Sequence, residues 1–137
     1  MMRFTKRPNE YNALVLAYMG DSLYDVYVRS RIIEEHPGRT AHRLHVEAIR
    51  FVSAHGQSEA VKVIEPILSD EELAAYKRGR NAKSYTVPKN ADVGDYRRAT
   101  GFEALLGWLF TGGREQRLKE VMELAYNSVK ALQEGGK

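Results

Sequence analysis

The chain has no cysteine in its 137 residues. That excludes disulfides, thiolate metal sites and cysteine nucleophiles together, and suits a reducing, cytoplasmic setting. No apolar run follows the charges of Met1-Met2-Arg3-Phe4-Thr5-Lys6-Arg7, so no secretory signal is expected. No stretch approaches the length needed to span a bilayer, so no membrane partner is expected. Internal repeats, low-complexity tracts and an obvious linker are also missing. At 43% hydrophobic, the chain fits one globular domain over residues 1–137, with no room expected for a second domain of ordinary size.

Strong net charge is missing too. The balance is +3 with a pI near 9.2, no more than an ordinary solvated surface can carry. The charge is unevenly placed. Acids gather in Glu34-Glu35, in Asp70-Glu71-Glu72 and along the last predicted helix, whereas Lys77, Arg78, Arg80, Lys83 and Lys89 lie in a stretch without any acid. A basic stripe on a nearly balanced protein reads as a docking surface for a polyanion, or as a solvated loop.

Nothing alternates with period two, and most of the chain carries helical periodicity. The pattern predicts an all-α bundle of six or seven helices. Tyr11 to Ile33 is densely apolar, interrupted only by Gly20-Asp21-Ser22, where Asp21 or Ser22 is expected to cap a second helix. Thr40 to Ile64 predicts one or two helices, with a break near Gly56. Ser69 and Glu72 form a capping box opening a helix to about Arg80. A long irregular segment follows, roughly 81–95, of the kind that often carries function. A helix over Tyr96–Phe110 stops at Thr111-Gly112-Gly113. The last helix sets Leu118, Val121, Met122, Ala125, Val129 and Leu132 along one buried stripe.

Two segments place a single acid in an apolar helical run: Leu16-Ala17-Tyr18-Met19-Gly20-Asp21-Ser22-Leu23-Tyr24, and Thr100-Gly101-Phe102-Glu103-Ala104-Leu105-Leu106-Gly107. A charge there is costly unless paired, hydrogen-bonded or metal-bound. Taken singly, Asp21 reads first as a helix cap and Glu103 as the buried partner of an arginine. If their helices pack together, the two carboxylates suit a hard divalent cation. Asp25, one turn before Arg29, is expected in a surface ion pair. His42 and His45 have no third ligand nearby and read as an exposed face. No serine has a histidine-acid arrangement about it. Trp108 reads as core, and Tyr18, Met19, Tyr24 and Tyr27 as core or dimer contact.

These segments carry a resemblance. Gly20-Asp21 after an apolar helix, followed later by Phe102-Glu103-Ala104-Leu105, resembles the ribonuclease III catalytic domain. Lys77-Arg78-Gly79-Arg80-Asn81-Ala82-Lys83-Ser84 with Pro88-Lys89-Asn90 resembles its Mini-ribonuclease III branch, which lacks the separate double-stranded-RNA-binding domain. The likeness runs from about Asn12 to Ala131. It implies a ribonuclease III-like helical fold and a magnesium-dependent endoribonuclease, with manganese able to substitute. Asp21 and Glu103 would be the catalytic and metal-binding residues. It also implies a homodimer across the first signature helix, with Tyr18 and Met19 at or near the interface. Double-stranded RNA would be the substrate, ribosomal RNA precursor the first guess, held by Lys77, Arg78, Arg80, Asn81, Lys83, Ser84 and Lys89. The products would carry 5′-phosphate and 3′-hydroxyl ends. Departures are visible: Leu14, Ala17 and Thr100 stand where the wider family has acids, which implies a weakly held ion with water at the vacant positions. His55 lies near where the family places a further acid. The missing acids favour an alternative, a non-catalytic RNA-binding or ribosome-associated module of the same fold. A helical protein-interaction domain whose basic loop binds an acidic partner is the third reading.

Overall fold

The computed structural model of the chain describes residues 3–83 and 87–135. Among them are six α-helices and two short 3-10 turns, and no strand: α1 (Ala13–Glu35), α2 (Ala41–Val52), α3 (Ala54–Ile64), α4 (Asp70–Arg80), α5 (Val93–Thr111) and α6 (Glu115–Gly135). The all-α expectation holds. No helix among the described residues is long and apolar enough to cross a membrane.

α5 is the axis of the fold. It is apolar all round from Ala99 to Leu109 and buried over that span except at Glu103, as a helix enclosed by neighbours must be. α1, α4, α3 and α6 pack against it. Two glycines let α1 come close. A Cβ on Gly20 would collide with the backbone carbonyl of Glu103, and one on Gly107 with that of Leu16. The two helices therefore touch backbone to backbone at the level of Glu103. Tyr24 stands edge-on to Phe102 with ring centroids 5.0 Å apart, sealing the same interface one turn further along.

The predicted break at Gly20 is not there. α1 runs through Gly20, Asp21 and Ser22 as one helix of 23 residues, so neither Asp21 nor Ser22 is a cap. The glycine serves close approach rather than termination, and the ladder of backbone hydrogen bonds tolerates it at a modest propensity cost. The second predicted break also moves. α2 and α3 part at Ser53, whose hydroxyl accepts from the Gly56 N–H at 3.1 Å, and Gly56 lies in the first turn of α3 against the backbone of Arg50.

Elsewhere the expected signals hold. Ser69 and Glu72 exchange both bonds of the capping box. α5 starts earlier than predicted because Asp92 caps it, accepting from Asp95 N–H at 2.8 Å. It ends at Gly112, and Gly113 follows with φ +72°, where a side chain is strained. The α6 stripe is buried from Leu118 to Val129, but Leu132 is exposed. It lies at the rim of a groove between α3 and α6.

Candidate active site

Asp21 lies on the flank of α1 between its buried and its exposed faces, and is itself exposed. Glu103 is half-buried, the one residue of α5 between Ala99 and Leu109 that is not fully buried. The glycine contact sets the Glu103 backbone against α1 one residue from Asp21, and the two carboxyls are near enough for Asp21 to raise the proton affinity of Glu103. Their convergence is the expected one.

The electrostatics of the pair are unfavourable as it stands. Burial, and after it the neighbouring Asp21, push the Glu103 carboxyl up to about 8, while a hydrogen bond from Gln57 pulls it the other way. No arginine or lysine forms an ion pair with Glu103 among the described residues. The reading of Glu103 as an arginine's partner is thereby overturned. The nearby arginine of the same helix is committed elsewhere: Arg98 donates to Ser58 Oγ at 2.6 Å and to Asp95 Oδ1 at 3.1 Å. Asp25 and Arg29 form the expected exposed pair at 3.1 Å.

Two adjacent carboxyls, one desolvated and neither in an ion pair with a basic side chain among the described residues, are a donor set that a hard divalent cation would relieve. Magnesium commonly takes one or two protein carboxylates and fills its remaining positions with water and substrate phosphate. The residues fit that pattern. The described residues hold no cluster of three or more acidic, histidine or cysteine ligands. Ala17 is buried, and the Thr100 hydroxyl donates to the Tyr96 carbonyl at 3.0 Å. His55 is on the surface, its Nδ1 3.0 Å from Asp95 Oδ2.

Gln57 was missed in the sequence. It is fully buried in the first half of α3, and its amide nitrogen lies 3.2 Å from Glu103 Oε2 and 3.0 Å from the Val52 carbonyl. The signal was its register, since Gln57 shares a face with Ala60, Val61 and Ile64, all buried. A polar residue in an apolar stripe needs a partner.

The basic residues lie on the last turn of α4 and the segment after it. Lys77, Asn81, Lys83 and Lys89 are exposed. Arg78 is exposed but donates to the Tyr11 carbonyl at 2.9 Å, bracing the start of α1. Arg80 is half-buried, over the Tyr76 ring at 5.6 Å and donating to Asn81 Oδ1 at 3.2 Å. Ser84 lies outside the described residues. Of the other residues singled out, His42 and His45 are exposed as expected. Trp108 is buried and donates to Asn9 Oδ1 at 2.8 Å.

Comparison with known proteins gives the family. The family model described as the ribonuclease III domain matches residues 14–114. A protein named Mini-ribonuclease 3 from Clostridium tetani is 43% identical over 125 residues, covering 90% of this chain and 83% of that one. Another of the same name, from a Thermoanaerobacter species, is 46% identical over 121 residues, covering 88% and 82%. The crystal structure of a Fusobacterium nucleatum protein superposes with a TM-score of 0.78 at 26% identity, covering 90% of this chain and 98% of that one.

Proposed function

The chain belongs to the ribonuclease III family and is an endoribonuclease of that type, and from that premise we propose that it cleaves double-stranded RNA with magnesium held by Asp21 and Glu103. The observation that supports this is the meeting of those two carboxyls at the α1–α5 contact with no cationic partner among the described residues. The whole chain, 1–137, is read as this one catalytic domain.

Bound magnesium would offset charge on the scissile phosphate, lower the pKa of an attacking water and stabilise the departing oxygen. The protein's part is placement. Glu103 offers a carboxylate fixed by helix packing and by the Gln57 amide, and Asp21 offers one open to solvent and substrate. Hydrolysis replaces the phosphorus–O3′ bond with a bond to water oxygen. The water gives up a proton, the O3′ takes one, and the ends are 5′-phosphate and 3′-hydroxyl.

The substrate surface we assign to Lys77, Lys83 and Lys89, whose ammonium groups are free to reach phosphates, with Asn81 toward sugar hydroxyls. Duplex RNA is held in this way, by shape, phosphates and 2′-hydroxyls. Arg78 and Arg80 already have partners within the protein, so their share of that work is smaller than the sequence suggested. Ribosomal RNA precursor is the first natural substrate to test.

A homodimer completes the proposal. Val15, Tyr18, Val26 and Ile33 are 54%, 79%, 66% and 53% exposed and recur at helical spacing along one face of α1. This face, apolar at those four positions and carrying exposed Ser22 and Arg29 between them, is what a two-fold contact of this helix with its own copy would bury. Asp21 stands beside that face, which would bring two sites near one axis and allow both strands to be cut. Incubating purified protein with long labelled duplex RNA, in magnesium and in chelator, tests the reading. We expect short duplex products only with the metal; metal-independent cutting, or none, overturns it.

A further inference from the structure

We propose that Gln57 is a positioning residue that orients the Glu103 carboxylate for a divalent cation without neutralising it. The inference rests on the active-site reading above and deepens it.

Gln57 is anchored at a rigid elbow. Ser53 ends α2 and caps α3 at once, and Gly56 sits against the Arg50 backbone, where a Cβ would collide. Just beyond it, the Gln57 amide nitrogen gives one N–H to the Val52 carbonyl and the other to Glu103 Oε2. Both partners are acceptors. Turning the amide over would set its oxygen against a carbonyl and a carboxylate, so the donor orientation is dictated from two sides. The amide oxygen is meanwhile buried with no hydrogen-bond partner among the described residues. Leaving a buried carbonyl unpaired costs stability, and a side chain selected only for packing would avoid it. The same apolar face carries Ala60, Val61 and Ile64, and an aliphatic residue would fit that stripe without the cost.

The residue type matters as much as its place. A lysine or arginine here would hold Glu103 more tightly and cancel the charge that attracts a cation. An amide donor fixes one carboxylate oxygen and leaves the net charge in place. Such outer partners of a ligand typically affect metal affinity or activity by about 10–100-fold.

The test compares Gln57→Met, nearly isosteric and without a donor, with wild type and with Glu103→Gln. Manganese binding is measured calorimetrically without RNA, alongside thermal unfolding and single-turnover cleavage. We expect Gln57→Met to bind manganese about 10–100-fold more weakly. Its maximal cleavage rate should fall by a similar factor, with KM for duplex RNA and the melting temperature nearly unchanged. Should that variant unfold, Gln57→Asn decides: one methylene shorter, it keeps the amide but not the reach to Glu103, and the same loss of metal affinity is expected. Wild-type metal affinity in a folded variant of either kind overturns the proposal for Gln57. Full activity of Glu103→Gln would instead overturn the active-site reading itself.

Discussion

At the scale of single residues, the account concerns two acids in unlike surroundings. Asp21→Asn should abolish cleavage, by at least about 100-fold in rate, and leave folding and duplex binding intact; a gel-based cleavage assay beside a filter-binding assay checks both. Glu103 adds a pH dependence. Its folded-state pKa, pushed up to about 8 by burial and by Asp21, lies above the ordinary carboxyl value of 4.5. A group raised in this way contributes stability below its unfolded pKa, and that contribution is lost as pH rises toward the folded one. Metal-free protein should therefore lose stability between about pH 4.5 and 8, each tenfold change in proton affinity being worth about 1.4 kcal/mol. Chemical unfolding in chelator across that range reads it out, and Glu103→Gln should flatten the profile. A flat wild-type profile would show that the carboxyl is already charged at low pH. Both acids were legible in the letters because each interrupts an apolar run. Gln57 was not, since an amide in a helix is ordinary until its register against buried neighbours is counted.

At the scale of elements, the same letter carried two meanings. Glycine read as a helix break at position 20, yet there it allows the backbone of α5 to touch α1. Only the partner helix reveals which meaning applies, and that partner lies some eighty residues away in sequence. The consequence is testable. In an exposed helix Gly→Ala stabilises by up to about 1 kcal/mol, whereas Gly20→Ala must drive α1 from α5 and should destabilise by about 1–3 kcal/mol. Denaturant unfolding gives the sign. The capping box of α4, by contrast, was local and therefore readable, but its wider role was not. Glu72, nearly buried, takes two bonds from Arg117 of α6 at 2.8 and 2.9 Å as well as the Ser69 N–H. Arg117, with the Ser69 contacts, holds the Glu72 carboxyl below its usual range. That stability is present at neutral pH and is lost as pH falls below about 4.5 through the folded value. Arg117→Ala should cost about 2–4 kcal/mol at pH 7, less than a wholly buried pair because the arginine is partly exposed. The loss should shrink in acid, as melting curves at pH 7 and pH 3 would show.

At the scale of the whole molecule, the fold presents a pair of adjacent carboxyls at the α1–α5 contact, a basic segment from the last turn of α4 onward and a largely apolar face on α1. The helical class was legible from periodicity alone, while the mutual placement of these surfaces depends on long-range packing around α5 that no local pattern encodes. Tyr18→Glu should turn the proposed dimer into a monomer in sedimentation at micromolar concentration, since it places a charge at the most exposed of the apolar residues on that face. An unchanged mass would place the interface elsewhere. Replacing Lys77, Lys83 and Lys89 by alanine should weaken duplex binding and flatten its salt dependence by close to one unit of log–log slope per lost phosphate contact.

Manganese soaked into crystals of the protein, located by its anomalous scattering, is the most direct test of the central claim. The account predicts a peak in contact with the carboxylates of Asp21 and Glu103, absent from crystals of Asp21→Asn. A peak bound by other residues, or none at concentrations that support cleavage, would contradict it.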